Sequence, residues 1–312
     1  MPRADLIRPL AITALVLCLI VVVLGAYVRL SAAGLSCPDW PGCYGHVSPM
    51  GAMVGDATAE VAKAWKEMVH RYSAATLGII IGIIAALAIQ TRQQRIVSPA
   101  YALSLLALIV AQGIFGMLTV TRQLEPAVVT AHLLLGLTTL SLLWWLVLTI
   151  GRRRSSAWRG STPFLGSSLP RTRQLSLLGL AALAIQLGLG GWTSSHYAAT
   201  ACPDFPTCQG QWWPPMQGAV AIHVAHRLGA LLATAILLLA ALRVLRSRSD
   251  DFARLAALGV LGTLALQLII GITMVLEGFP LWLATAHNAG AALLLLAVVA
   301  LNRSLRPAWK PS

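Results

Sequence analysis

Eight long apolar segments alternate with shorter polar segments along the chain. They cover roughly residues 9–30, 69–90, 99–121, 127–150, 174–195, 219–242, 254–275 and 281–301. A helix of about 20 apolar residues is long enough to cross the hydrocarbon layer of a membrane. The pattern therefore predicts an all-α integral membrane protein with eight transmembrane helices.

A polar stretch at residues 151–173, rich in Arg, Ser, Gly and Pro, separates the apolar segments into two sets of four. An even number of spans returns the chain to the same side, so both halves have the same orientation, as in parallel repeats. We therefore expect two homologous four-helix bundles in parallel orientation, residues 1–150 and 174–312, joined by a cytoplasmic linker at 151–173.

The charge distribution indicates how the helices are oriented. The net charge is +13, although only 11% of residues are charged. Most of the 23 Lys and Arg residues lie in connecting segments on the same side of the membrane as the N-terminus. By the positive-inside rule, this side is the cytoplasm, and both termini are expected there. These basic runs are expected to contact anionic lipid headgroups and give no indication of nucleic-acid binding. The first apolar run is too long for a signal-peptide core, and no Arg/Ser-rich transit segment precedes it, which favours the inner (plasma) membrane of a bacterium.

One arrangement of cysteines and histidines occurs twice, the second copy about 155 to 165 positions after the first. The first copy comprises Cys37-Pro-Asp-Trp-Pro-Gly-Cys43, Glu67-Met-Val-His70-Arg71 and Ala131-His132. The second copy comprises Cys202-Pro-Asp-Phe-Pro-Thr-Cys208, His223-Val-Ala-His226-Arg227 and Ala286-His287. The chain is therefore predicted to carry a doubled site.

The histidines of each copy are predicted to face one another. His70 and His132 lie near the outer ends of two helices that run in the same direction, and His226 and His287 repeat this placement. Such residues are rare within membrane spans and are usually functional. Hydrogen bonding between helices would explain a single histidine. Two repeated pairs in apolar bundles favour haem iron bound from both sides over a bare metal ion, which needs more ligands.

Three charged residues beside the histidines carry further predictions. Arg71 and Arg227 each follow a histidine, and a guanidinium pairs well with a carboxylate such as a haem propionate; anchoring at the membrane interface is the alternative. Glu67 shares a helical face with His70, and His223 replaces it in the second copy. A carboxylate at a haem edge can accept a proton or stabilise a developing cation, whereas a solvated position above the membrane is the alternative. This difference predicts that the first half does the chemistry and the second carries electrons.

The two cysteine pairs lie in loops on the predicted outer face, where disulfides persist. Closing so short a loop contributes roughly 2–3 kcal/mol in the chain-entropy model. A structural disulfide is therefore favoured for Cys202–Cys208. For Cys37–Cys43, above the predicted reactive half, a redox-active dithiol is an equal alternative.

Nearly the whole chain resembles the haem A synthase family. The resemblance rests on Gly25-Ala-Tyr-Val-Arg29, Glu67-x-x-His70-Arg71, Thr130-Ala-His132, His223-x-x-His226-Arg227, Thr285-Ala-His287-Asn288 and the paired loop cysteines. It implies that the C8 methyl group of haem O is oxidised to a formyl group, by successive hydroxylations in the usual account, which gives haem A for terminal oxidases.

The resemblance also implies roles for individual residues. His70 and His132 would face the iron of the substrate haem O, Glu67 would lie beside it, and His226 and His287 would bind a haem b cofactor. The presence of both cysteine pairs implies a subtype of this family that contains disulfides. Haem O synthase and cytochrome oxidase assembly factors are partners that the family suggests, and the sequence leaves the formation of a homo-oligomer open.

Two rival functions stay open from the sequence. They are a bis-histidine membrane cytochrome b that carries electrons, and a haem transporter or chaperone. The reaction also poses a problem, because an iron held by both His70 and His132 has no position left for dioxygen. Either one histidine dissociates, or electrons leave the porphyrin edge and water attacks the methyl group, with Glu67 accepting the proton.

Overall fold

The computed structural model describes residues 3–49, 58–154, 169–247 and 249–306, and the regular elements in these ranges are helices. The eight long helices are α1 (Ile7–Leu30), α2 (Thr58–Gln90), α3 (Pro99–Thr121), α4 (Pro126–Arg154), α5 (Leu169–Ser195), α6 (Gly218–Leu245), α7 (Asp251–Leu276) and α8 (Leu281–Ser304). Each is long and apolar enough to cross a membrane. The prediction of an all-α protein with eight membrane-spanning helices is thereby confirmed.

Helix α2 begins earlier than the apolar pattern predicted. It starts at Thr58, whereas the apolar run starts near residue 69. Its first turns contain Glu60, Lys63 and Lys66, which interrupt an apolar run but are good helix formers. Lys63 and Glu60 form an ion pair of 2.9 Å between successive turns. Glu67 therefore lies within a helix and not in the preceding loop.

The division between the two compact units falls inside α4, between Leu143 and Trp144. We expected this division at the end of that helix, followed by a linker at 151–173. Helix α4 continues to Arg154 and α5 begins at Leu169. Residues 155–168 of the expected linker lie outside the described residues.

In the first unit, each of the four helices packs on two others. Helix α2 contacts both α1 and α3. The Tyr101 hydroxyl on α3 donates a hydrogen bond of 2.7 Å to the Leu142 carbonyl on α4. A Cβ atom placed on Gly136 of α4 would lie 3.7 Å from the Val22 side chain of α1, so these two helices are also in close contact. The four helices therefore form a closed ring.

The second unit has the same arrangement. Helices α5 and α6, α6 and α7, α7 and α8, and α5 and α8 are in contact. The buried Asn302 amide on α8 donates to the Ser176 carbonyl on α5 at 3.2 Å, which satisfies a polar group within the apolar interior. Asp250 caps the N-terminus of α7 by accepting a hydrogen bond of 2.7 Å from the Ala253 amide. The shared orientation of the two halves and the cytoplasmic termini stay predictions.

Candidate functional site

The four predicted histidines lie on the four even-numbered helices, two in each unit. They are His70 on α2, His132 on α4, His226 on α6 and His287 on α8. All four residues are partly buried. Within each unit, the two histidines lie on helices of the same ring of four. The structure therefore places each predicted pair inside one helical ring.

Each imidazole packs edge-on against a glycine of the preceding helix. The pairs are Gly25 with His70, Gly116 with His132, Gly190 with His226, and Gly271 with His287. A Cβ atom placed on these glycines would lie 2.8, 3.3, 3.1 and 2.9 Å from the respective histidine Cε1 atoms. Any larger side chain would displace the ring, so glycine permits the close approach of helix and imidazole.

Glutamine side chains reach three of the four histidines. Gln186 Nε2 lies 2.9 Å from His226 Nδ1 and donates to the His226 carbonyl at 3.0 Å. Gln267 Nε2 lies 3.2 Å from both ring nitrogens of His287. These contacts fix the orientation of the rings, because an imidazole with a hydrogen bond on one edge cannot rotate freely.

Gln112 reaches His132 in the same way. With its amide nitrogen towards His132, it donates to the His132 carbonyl at 3.0 Å and contacts Nδ1 at 3.2 Å, while its oxygen accepts from the Gly136 amide at 3.1 Å. None of the three glutamines was predicted from the sequence. The signal that the sequence offered is that polar residues within membrane spans are rare. Each glutamine also stands four residues before the glycine that packs on its histidine, which only the structure reveals.

The histidine pairs fit a haem better than a bare metal ion. Among the residues that the structure describes, no group of three or more histidine, cysteine, aspartate or glutamate side chains could hold a metal ion. Two partly buried histidines inside a ring of apolar helices suit an iron that already has four porphyrin nitrogens. This chemistry of the donor set is compatible with one haem in each unit.

The first cysteine loop is a compact fold closed by a disulfide between Cys37 and Cys43. The Asp39 carboxylate accepts hydrogen bonds from the amides of Tyr44, at 2.6 Å, and Gly45, at 2.8 Å. Gly45 has φ of +76°, a conformation that glycine adopts without strain. Both sulfur-bearing residues are fully buried, and they pack on α2.

Arg71 and Glu67 join this loop to α2. Arg71 Nη1 donates to the carbonyls of Asp39, at 2.9 Å, and Gly42, at 2.6 Å, while its Nη2 forms an ion pair with Glu67. The other Glu67 oxygen accepts from the Cys37 amide at 3.0 Å. Glu67 is only 4% exposed, which excludes the solvated position considered as an alternative. The carboxylate therefore lies one turn from His70, between the disulfide loop and the helix.

The second cysteine loop repeats the first in detail. Cys202 and Cys208 form a disulfide, and Asp204 accepts from the amides of Gln209 and Gly210. Arg227 holds this loop on α6 through hydrogen bonds to the carbonyls of Thr207 at 2.7 Å, Asp204 at 2.7 Å and Cys202 at 3.2 Å. Where the first unit has Glu67, the second has His223, which is likewise 4% exposed.

The two arginines have partners that the sequence did not reveal. Each was predicted to pair with a haem propionate, and each guanidinium donates to backbone carbonyls of its own cysteine loop. Pairing with a propionate stays a prediction. It now concerns only those guanidinium N–H groups that donate no hydrogen bond to the cysteine loop. In each copy of the His-Arg motif, the arginine that holds the cysteine loop therefore directly follows the candidate iron ligand.

The Asp204 carboxylate predicts how the second loop responds to acid. Its hydrogen bond from the Thr207 hydroxyl, followed by that from the Gly210 amide, lowers the pKa of Asp204 from 3.8 to about 2. Because the pKa is lower in the folded loop, this contribution to stability is complete above about pH 4 and is lost as the pH falls through about 2. We expect hydrogen exchange of the Gln209 and Gly210 amides, corrected for intrinsic rates, to accelerate in that range. An Asp204→Asn variant should show no such transition, and its persistence in that variant would contradict the assignment.

A family model described as cytochrome oxidase assembly protein, COX15-CtaA, matches residues 8–299. The chain belongs to the COX15-CtaA family. The match includes most or all of each of the eight helices and both copies of the histidine and cysteine motifs.

Several proteins named "Heme A synthase" are similar to this COX15-CtaA chain over most of its length. The protein from Shewanella oneidensis is 40% identical, with 92% of this chain and 93% of that protein aligned. Those from Beijerinckia indica and Halalkalibacterium halodurans are 27% and 28% identical, covering 91% and 86% of this chain and 89% and 86% of their own lengths. The resemblance to haem A synthases is thereby confirmed, and with it the expectation of an enzyme of haem A biosynthesis.

Proposed function

We propose that the chain is a haem A synthase that oxidises the C8 methyl group of haem O to a formyl group. The observation that carries this proposal is the pair of partly buried histidines, each packed against a glycine, in each unit of a chain whose relatives are named for haem A synthesis. Haem O and haem A would be substrate and product. The first unit, with His70 and His132, would take the substrate, and the second, with His226 and His287, would hold haem b.

The chemistry balances as two hydroxylations. Each consumes one dioxygen, two electrons and two protons, converts one C–H bond to C–OH, and releases one water. The resulting geminal diol loses water to leave the formyl group. Haem b, when bound, would supply electron transfer, with the electrons coming from an external reductant.

The difference between the units supports this division of labour. In the first unit the buried carboxylate of Glu67 lies one turn from His70, between Arg71 and the Cys37 amide. Such a group can hold or pass a proton at a haem edge. In the second unit His223 occupies the matching position. Electron transfer through a bound haem needs no carboxylate there, whereas hydroxylation consumes protons in the first unit.

The surroundings of the enzyme follow from the same proposal. The positive-inside bias supports cytoplasmic termini and disulfide loops on the outer face of a bacterial inner membrane. Disulfides persist on that side. Haem O is very apolar, so delivery within the membrane by haem O synthase, and transfer of haem A to oxidase assembly factors, are the expected partnerships.

Haem extraction tests the proposed function. The chain is produced together with haem O synthase, and the haems extracted from the purified protein are separated chromatographically. We expect haem b together with haem A or hydroxylated haem O, because only an enzyme alters the porphyrin. Haem b alone, with haem O unchanged in the membrane, would contradict the proposal and favour an electron carrier or a haem transporter.

A further inference from the structure

One cation close to His70 has no counterpart in the second unit. Lys66 lies on α2 four residues before His70, so the two side chains share a helical face about one turn apart. Because α2 follows the first cysteine loop in the chain, Lys66 lies on the loop side of His70. In the second copy of the motif, Ile222 stands four residues before His226. At this position only the first unit carries a positive charge.

The Lys66 ammonium group has no anionic partner among the residues that the structure describes. The side chain is partly buried, and its nitrogen lies 5.1 Å from the centre of the Tyr27 ring on α1, at the distance of a cation–π contact. The other cations of α2 are engaged differently. Lys63 pairs with Glu60, and Arg71 donates to carbonyls of the cysteine loop. Lys66 is therefore the cation of this helix whose charge no described carboxylate or carbonyl balances.

Helix α1 carries a second cation at the same level. Arg29 lies in the last turn of α1, four residues after Gly25, which packs on the His70 ring. Since α1 and α2 are in contact, Arg29 and Lys66 both lie about one turn from this packing contact, on the side of the cysteine loop. The matching position on α5, four residues after Gly190, is occupied by Ser194. At these two positions the first unit has positive charges and the second has uncharged side chains.

Haem O carries anions that suit these charges. Its two propionates extend from one edge of the porphyrin, and the C8 methyl group shares a pyrrole ring with one of them. Carboxylates are costly to place in hydrocarbon, so the propionate edge is expected at the polar ends of the helices, where Lys66 and Arg29 lie. A porphyrin held in this way keeps the C8 methyl group on the side of Glu67. The methyl groups of the opposite edge then lie deeper in the apolar interior.

We propose that Lys66 is a substrate-binding residue that pairs with a propionate of haem O, with Arg29 supplying positive charge at the same level. This inference rests on the proposed function and names the part of the substrate that the first unit recognises. Oxidation of one methyl group requires one edge of the porphyrin to face the reacting groups. Electron transfer uses the iron at the centre of the ring and tolerates other orientations, which accounts for the uncharged Ile222 and Ser194 in the second unit.

Titration with haem O and with its dimethyl ester tests the proposal, because the ester keeps the porphyrin and loses both carboxylate charges. The full-length protein is produced with haem b in cells that lack haem O synthase, and each ligand is titrated into it. We expect the native protein to bind haem O about tenfold or more tightly than the ester, the range of a hydrogen bond between charged groups. The variant K66M keeps the length of the side chain and should raise the Kd for haem O about tenfold or more, with the Kd for the ester unchanged.

Two further variants separate binding from structure. K66R keeps the positive charge and should retain the preference for haem O over the ester. K63M removes an equal charge one turn further from His70, where Lys63 already pairs with Glu60, and should change neither Kd. The haem b content of each variant shows whether the second unit is intact. If K66M does not retain haem b, the preference of the native protein for haem O over the ester decides alone.

Two results would overturn the inference. One is equal affinity of the native protein for haem O and its ester. The other is a K66M substitution that weakens both ligands equally or neither, since Lys66 would then only anchor α2 at the membrane surface. A native protein that binds haem O but makes no haem A would refute the proposed function and leave the ligand comparison readable. Haem A formation without a preference for haem O over the ester would refute only the propionate assignment.

Discussion

Replacing His226 with alanine should remove haem b from the protein, whereas replacing His70 should leave it bound. In the proposed function His226 and His287 hold the cofactor in the second unit, and His70 belongs to the substrate site. Since loss of a supporting partner alone costs about 10- to 100-fold in metal affinity, loss of the ligand itself should cost at least about 100-fold. The measurement is the haem b content of each purified variant, read from the pyridine haemochrome spectrum.

His196 provides the matched control. It lies between α5 and the second cysteine loop, and its ring hydrogen-bonds to the Trp192 carbonyl, so a His196→Ala variant should keep its haem b. A His70→Ala protein without haem b, together with a His226→Ala protein that retains it, would reverse the division of labour between the units. Loss of haem b in both variants would show that the two sites are not independent.

Most of the fold could be predicted, because a helix that crosses a membrane requires a long apolar run that is visible in the sequence. Apolar runs of sufficient length marked all eight helices, and the longest helical part that was missed is the polar beginning of α2. That segment, from Thr58 to Glu67, is helical through its own propensity and through packing against the cysteine loop, neither of which raises hydropathy. This matters for function, because Glu67 lies buried on the helical face of His70, as predicted, and the alternative of a solvated position above the membrane is excluded.

The supporting contacts of the site were harder to predict. Gly25 and His70 meet although 45 positions separate them in the sequence (70 − 25), and glycine is frequent in membrane helices for general packing reasons. The spacing between Gln186 and Gly190 becomes informative only when His226 is known to lie beside both. The arginines illustrate a different limit, since a guanidinium next to a candidate haem ligand suits a propionate and a row of loop carbonyls equally well.

Replacing Glu67 with glutamine should lower haem A formation on the order of 100-fold or more, the lower end of the range for loss of a proton-transfer group. Glutamine keeps the size of the side chain. It also keeps an oxygen that can accept the hydrogen bond from the Cys37 amide, which Glu67 accepts at 3.0 Å in the native protein. It cannot take up or release a proton at neutral pH, and it loses the ion pair with Arg71. The measurement is the yield of haem A and hydroxylated haem O relative to haem O, with haem b content determined on the same sample.

The loop contacts of Glu67 make a structural control necessary. An R71M variant leaves the carboxylate in place but removes the hydrogen bonds from Arg71 to the cysteine loop. If Glu67 only anchors this loop, R71M should reduce product as much as E67Q does. If the residue handles protons, E67Q should reduce product far more than R71M, because the carboxylate and its bond to the Cys37 amide survive in R71M. Unchanged product in E67Q with unchanged haem b would remove Glu67 from the chemistry. The two oxygens of this one side chain would then serve only to hold the disulfide loop against α2.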